Sequence, residues 1–188
     1  MARKKQPARS WKDIRAVLNN AGHKDLLNLV GDLYALRKGN QDFLNARYLK
    51  DASTLVPYKE TIEHYISPAE PWKNPVKTSL ARKAISDYRK AVGDPEGLAE
   101  LMLFHVECGV NFTLEFGDID EAFYCSVESV FSDGMKMLDR CEQDVIDKLL
   151  PRFEGAVHST ADVGWGFYDG LRDTFEVHFP MHDGNAEM

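Results

Sequence analysis

His105 and Cys108 are the two residues whose types and spacing come closest to a catalytic pair. They lie three positions apart on a predicted helix, beside Glu107, so both side chains fall on one helix face. A histidine activates a thiol only when it lies within hydrogen-bond reach and a third group orients it. The sequence shows neither condition, and the apolar run 101–104 adjoins His105. We therefore expect a buried core histidine at this position.

Carboxylates and histidine also occur together in two places that could suggest a metal site. Glu60 and His64 are four positions apart on one predicted helix, but a di-iron bundle needs E-x-x-H on two helices and two further glutamates. The second place is D-I-D-E at 118–121. Asp118 is a good helix N-cap and Glu121 would complete a capping box, so capping explains these acids. The sequence predicts no metal site and no cofactor.

Four basic residues on the fifth predicted helix form a candidate partner- or anion-binding face. They repeat at a spacing of seven, which places them on one side of a helix. Acidic residues also fall on one side of the sixth helix, so the two strips could simply be solvated faces that exchange weak surface ion pairs. The alternative is that the basic strip contacts an acidic partner, a peptide or a phosphate. The basic strip consists of Arg82, Lys83, Arg89 and Lys90, and the acidic strip of Glu96, Glu100, Glu107 and Glu115 with Asn111 between them.

Composition and charge restrict the classes of function. The chain has 188 residues, 44% of them hydrophobic and 28% charged, with a net charge of -7, which is ordinary for a globular protein and unfavourable for duplex binding. The three cysteines lack C-x-x-C spacing, which favours buried thiols in a reducing cytoplasm. No apolar run reaches the ~18 residues of a membrane span. The basic start 1–10 has no hydrophobic stretch after it, so it is not a signal peptide.

A helix-turn-helix is an alternative interpretation of residues 11–36. Two short helices would be joined by A-G-H, and Lys4, Lys5 and Arg9 would form a DNA-contacting arm. The second helix is apolar on most sides, which leaves few side chains to contact bases. A nucleic-acid-binding regulator therefore ranks behind the other hypotheses.

Helical periodicity, capping residues and glycine stops predict an all-α protein of about nine helices in antiparallel hairpins. The helices form either a globular bundle or a short α-solenoid-like stack, within one domain over 10–179. We expect a disordered basic arm at 1–9, a turn at 38–40, a proline-rich loop at 67–75 with Trp72 packed inward, and a frayed tail at 180–188. The predicted helices span approximately 10–20, 23–36, 41–50, 57–66, 78–92, 95–116, 118–141, 142–155 and 161–179.

The most central helix is expected within 117–141. Its apolar residues line a wide stripe, which predicts contact with both the sixth and the eighth helix, with Val127 and Phe131 in the core. Pro151 should kink or shorten the eighth helix. Apolar stripes on the first two helices are also expected to point inward. They consist of Trp11, Ile14, Val17 and Leu18 on the first helix, and Leu26, Leu29, Val30, Leu33 and Leu36 on the second.

Five segments carry a resemblance to a known family. They are L-L-N-L-V-G-D-L-Y-A-L (26–36), N-Q-D-F-L-N-A-R-Y-L (40–49), A-R-K-A-I-S-D-Y-R-K-A-V-G-D (81–94), E-L-M-L-F-H-V-E-C-G-V-N-F-T (100–113) and G-D-I-D-E-A-F-Y-C-S (117–126). Over roughly residues 24–140 the chain resembles an uncharacterised bacterial all-helical family, classed only as a domain of unknown function. The resemblance implies a small, cytoplasmic bacterial protein and carries over no catalytic residue.

These observations favour a non-enzymatic helical interaction or adaptor module whose partner is a protein or peptide. A metal- or small-molecule-binding enzyme is the alternative, and a nucleic-acid-binding regulator is the second alternative. No membrane partner is expected. The only site residues that the sequence proposes are those of the basic strip.

Overall fold

The structure is a computed structural model that describes residues 10–49, 53–164 and 166–179. Within these ranges it contains nine helices and no strand, which confirms the predicted all-α class. The described residues fall into two compact units, one that ends at Leu44 and one that begins at Asn45. The helices are α1 (Trp11–Leu18), α2 (His23–Leu36), α3 (Lys38–Tyr48), α4 (Val56–Ile66), α5 (Thr78–Ala91), α6 (Pro95–Phe116), α7 (Glu121–Leu138), α8 (Gln143–His158) and α9 (Phe167–His178).

The first unit contains α1, α2 and the start of α3. Ser10 precedes α1, and its backbone N–H donates to the Asp13 carboxylate at 2.8 Å, as in a capping box. The predicted turn at 38–40 is wrong, since α3 already begins at Lys38. Arg37 alone is extended (φ -152°, ψ 142°), and the Asn40 amide donates back to the Leu33 carbonyl at 2.6 Å. One extended residue is therefore enough to separate α2 from α3.

The apolar stripes of the first unit are not buried. Neither α1 nor α2 contains a buried residue, and Trp11 is 67% exposed. The expectation that Trp11, Ile14, Val17 and the α2 stripe point into a core is therefore wrong. The physical reason is that, among the described residues of the first unit, no helix packs extensively on either one.

The second unit is organised around the hairpin of α6 and α7. These two helices share the most extensive packing among the described residues. Helices α4 and α5 pack on α6, α8 packs on α6 and α7, and α9 packs on α7 and α8. Gly109 and Gly134 allow close approach, because a Cβ at Gly109 would lie 2.9 Å from Val127 Cγ2 and one at Gly134 would lie 3.0 Å from Phe153 Cζ. Most of the buried residues of α6 fill this interior, as the sequence predicts for the most apolar helix.

The turn between α6 and α7 differs from the prediction in one respect. Gly117 ends α6 with a positive φ of 82° and a ψ of -161°, a conformation that suits glycine and stops the helix as expected. The N-cap of α7 is Asp120, whose carboxylate accepts from the Phe123 N–H at 2.7 Å. Asp118 instead accepts from the Tyr124 hydroxyl at 3.4 Å. The acidic cluster therefore does cap the helix, but through the second aspartate.

Three further predictions need correction in the second unit. Trp72 is 71% exposed rather than packed inward, because the loop between α4 and α5 holds it away from the helices. Helix α8 continues through Pro151 to His158, so it is not shortened, and the alternative of a kink at Pro151 stays a prediction. Helix α9 begins only at Phe167, since Gly166 precedes it in a left-handed conformation (φ 72°). The predicted arm 1–9 and tail 180–188 lie outside the described residues.

None of the helices in the described ranges combines the length and apolarity needed to traverse a lipid bilayer. The prediction of one domain over 10–179 stays a prediction.

Candidate anion-binding site

The four basic residues of the strip all lie exposed on α5, but they differ in their partners. Lys83 and Lys90 both contact the Asp87 carboxylate, Lys83 through Oδ2 and Lys90 through Oδ1 at 3.8 Å. The two lysines therefore share one negative charge on their own helix. Such exposed pairs contribute little to stability, yet they reduce the charge that the lysines present to a partner.

Arg82 and Arg89 pair with no carboxylate among the described residues. The Arg82 guanidinium donates from Nη2 to the Ser129 hydroxyl of α7 at 3.3 Å. A neutral hydroxyl leaves the positive charge uncompensated and the remaining N–H groups available. The two arginines are therefore the cations of the strip that can pair with an external anion.

Arg82 also lines an open cavity between α5 and α7. The cavity has a volume of about 590 Å³. Its lining combines hydroxyl groups with the guanidinium, and the Ser126 Oγ is buried without a hydrogen-bond partner in the described part of the chain. The lining residues are Thr78, Ser79, Arg82, Ala122, Cys125 and Ser126.

The cavity lies at the start of α5. Thr78 is the first residue of this helix, and the preceding Lys77 makes no side-chain cap hydrogen bond. The first N–H groups of an uncapped helix, together with the positive end of its dipole, favour an anion. Hydroxyls and a guanidinium that can donate two parallel hydrogen bonds suit a carboxylate or phosphate oxygen pair. The described lining can bind an anionic group but contains no nucleophile and base in contact.

The acidic strip of α6 has a different role from the basic strip. Glu100 accepts from Lys59 Nζ of α4 at 2.5 Å and from Arg152 Nη1 of α8 at 2.7 Å. Arg152 also holds Glu107 through two hydrogen bonds, at 2.9 and 2.7 Å. Glu100 and Glu107 of the acidic strip thus pair with basic residues of α4 and α8, and not with the basic strip of α5.

The pKa values in this network follow from its geometry. Burial alone would raise the pKa of Glu100, but hydrogen bonds and charge from Lys59 and Arg152 outweigh it, so the pKa is lowered. The hydrogen bonds to Glu107 and then Glu100 raise the pKa of Arg152. Both shifts favour the charged forms of Glu100 and Arg152, which are paired with each other at 2.7 Å. Sequence reasoning missed Lys59 and Arg152 because neither belongs to a repeated charge pattern.

His105 and Cys108 do not form a catalytic pair in this structure. Neither ring nitrogen of the fully buried His105 has a hydrogen-bond partner among the described residues. Burial, assisted by the charge of Arg82, lowers the pKa of His105 to about 3. Burial, followed by the charges of Glu63 and Glu107, raises the pKa of the Cys108 thiol to about 12. A protonated thiol without a paired base is a poor nucleophile.

Glu60 and His64 are both exposed on α4. Within the described ranges, no group of three or more His, Cys, Asp or Glu side chains is placed to hold a metal ion. Glu60 and His64 thus belong to no such group in that part of the chain.

A scan with protein-family models, a search of curated proteins and a search of solved structures each gave no match to this chain. The resemblance to a bacterial helical family therefore stays a prediction, and the function has to be inferred from the geometry of the chain itself.

Proposed function

We propose that this protein is a non-enzymatic helical interaction module that binds an acidic segment of a partner protein at the start of α5. Arg82 would pair with a carboxylate of that segment. The hydroxyls of Thr78, Ser79 and Ser126 and the N-terminus of α5 would hold the same group.

The observation that carries this proposal is the difference between Arg82 and its neighbour Lys83. Both are exposed cations on one helix, but Lys83 contacts Asp87 whereas Arg82 contacts only the Ser129 hydroxyl among the described residues. An unpaired guanidinium beside a hydroxyl-lined cavity is suited to an external carboxylate. Arg89, one heptad further along α5, also pairs with no described carboxylate and would extend the contact.

A second feature supports a protein partner. Trp72 is 71% exposed in the loop that leads into α5. Tryptophan and arginine are enriched among the residues that dominate the energetics of protein interfaces. We further propose a cytoplasmic location, which the free thiols of Cys108, Cys125 and Cys141 support.

A peptide-selection experiment tests this function even though the partner is unidentified. A library of random peptides displayed on phage is selected on the purified full chain, and the enriched peptides are measured by fluorescence anisotropy. We expect acidic peptides to be enriched, and Arg82→Glu to weaken their binding by about tenfold or more, since close charge reversal costs over 1 kcal/mol.

Lys83→Glu is the matched control. It makes the same change of charge one residue away, at a side chain that already pairs with Asp87. We expect it to weaken peptide binding threefold at most. Enrichment of peptides without acidic residues would refute the proposal. Equal losses of affinity in Arg82→Glu and Lys83→Glu would also refute it, because they would indicate a diffuse charge effect.

A further inference from the structure

Helix α2 carries a leucine seam that the rest of the first unit leaves uncovered. Four leucines follow one another at steps of three, four and three, which is the spacing of the a and d positions of a heptad repeat. Leu29, Leu33 and Leu36 are 37%, 45% and 68% exposed. Leu26 and Leu33 take the a positions, and Leu29 and Leu36 take the d positions.

The size of the first unit indicates that this seam needs a partner. The unit ends at Leu44, and α1 and α2 bury no residue within it. A unit of about 40 residues without disulfides or metal usually requires oligomerisation for stability. An isolated helix as short as α2 is also marginal in water, so its apolar face has to be covered for it to persist.

Charges beside the seam indicate which partner fits. Asp25 and Asp32 occupy g positions of the heptad, whereas Val30 and Arg37 occupy e positions. When two copies of α2 lie parallel, Asp32 of one copy lies beside Arg37 of the other. In an antiparallel pair the g positions face each other, so aspartates would oppose aspartates.

The overall charge of this region points to the same partner. Acids and bases are nearly balanced between Ser10 and Leu44, whereas the whole chain has a net charge of -7. A nearly neutral apolar face offers little to a strongly acidic or basic partner but matches a second copy of itself. The bases are Lys12, Arg15, Lys24, Arg37 and Lys38, and the acids are Asp13, Asp25, Asp32 and Asp42.

We propose that α2 pairs in parallel with α2 of a second copy of this chain, through the seam of Leu26, Leu29, Leu33 and Leu36. This inference does not depend on the Arg82 site, which belongs to the other unit. The dimer presents two copies of the acidic-segment site, so a partner with two such segments binds it with increased avidity.

Light scattering coupled to size-exclusion chromatography of the full chain tests this pairing. At about 100 µM chain, where mass action favours association, we expect a mass near twice the 21.3 kDa of one chain. Leu33→Glu puts two carboxylates into the seam of the dimer, and the mass should fall to that of one chain. Leu33 is 45% exposed and lies in the first unit, so any loss of helical circular dichroism signal should be limited to that unit, and the second unit should keep its cooperative thermal transition.

Leu27→Glu is the matched control, because Leu27 is 58% exposed on α2 but lies outside the a and d positions. The control should remain dimeric. A monomeric wild-type chain would overturn the proposal. So would dissociation of Leu27→Glu equal to that of Leu33→Glu, because it would indicate non-specific apolar association.

A charge exchange tests the parallel orientation. Asp32→Arg alone should weaken the dimer, since it places two cations together, and addition of Arg37→Asp should restore it. Failure of the double variant to recover the mass of the dimer would contradict the parallel register.

Discussion

Arg152 holds Glu107 in a two-point ion pair, with Nε 2.9 Å from Oε1 and Nη2 2.7 Å from Oε2. The pair joins α8 to α6, and the third nitrogen of the same guanidinium reaches Glu100 at 2.7 Å. One side chain thereby satisfies two carboxylates that lie seven residues apart on α6. Arg152 therefore links α8 to α6 within the second unit and is not an isolated surface charge.

Replacement of Arg152 by alanine should destabilise the protein by about 1–3 kcal/mol, because Glu107 and the largely buried Glu100 each lose a charged partner. Urea unfolding followed by circular dichroism measures the change. Arg152→Lys is the informative control, since an ammonium cannot make the paired contact, and it should recover only part of the loss. Full recovery by lysine would show that charge alone matters here.

Replacement of His105 by an apolar residue should stabilise the protein. Its imidazole is fully buried, and both nitrogens lack partners among the described residues. His105→Leu removes that unsatisfied polar group at similar volume and should raise the free energy of unfolding at pH 7 by about 1–3 kcal/mol. A loss of stability would indicate that the imidazole makes a favourable interaction that the structure does not contain.

The pH dependence of stability should also change in this variant. The pKa of His105 is about 3 in the folded state, against an ordinary value of 6.5. Below pH 6.5 the imidazole therefore binds a proton in the unfolded state but stays neutral in the folded state. The free energy of unfolding consequently falls as the pH falls, by up to about 1.4 kcal/mol per pH unit. The difference between wild type and His105→Leu at pH 7 and pH 5 isolates this contribution, and identical slopes would contradict it.

The central position of α7 predicts that a charge at Val127 unfolds the second unit. Val127 is fully buried, and its Cγ2 lies 2.9 Å from where a Cβ of Gly109 would be. Val127→Asp should abolish the cooperative thermal transition, since no described group is available to pair with the new carboxylate. Cys125→Asp adds the same group at an exposed position two residues earlier and should remain folded. A cooperative transition in Val127→Asp would show that α7 is not central.

Much of the fold follows from local patterns. The limits of α2, the burial of Tyr58 and Ile62 in α4, and the stop at Gly93 depend on interactions within a few residues, so periodicity and glycine chemistry predict them. The burial of a stripe depends on what packs against it. Leu33 therefore belongs to a correctly predicted helix whose exposure could not be predicted.

The candidate site likewise has one part that helical spacing predicts and one part that depends on the packing of helices. Helical spacing brings Arg82, Lys83, Arg89 and Lys90 to one face of α5. The sequence could have revealed that Asp87 lies within reach of both lysines, since it is four and three positions away from them. Ser126 of α7 lines the Arg82 cavity and Ser129 of α7 accepts from Arg82. Both residues come some forty positions later in the chain, and only the packing of α5 on α7 brings them to Arg82.

The most direct test of the proposed function is to map where an acidic peptide contacts the chain. Backbone and guanidinium N–H resonances are recorded by NMR while a selected acidic peptide is added to the wild-type protein. The proposal predicts the largest shifts at Thr78, Ser79, Arg82, Ser126 and Ser129, and their loss in Arg82→Glu but not in Lys83→Glu. Shifts centred on Glu100, Glu107 and Arg152, with the Arg82 guanidinium unchanged, would contradict it.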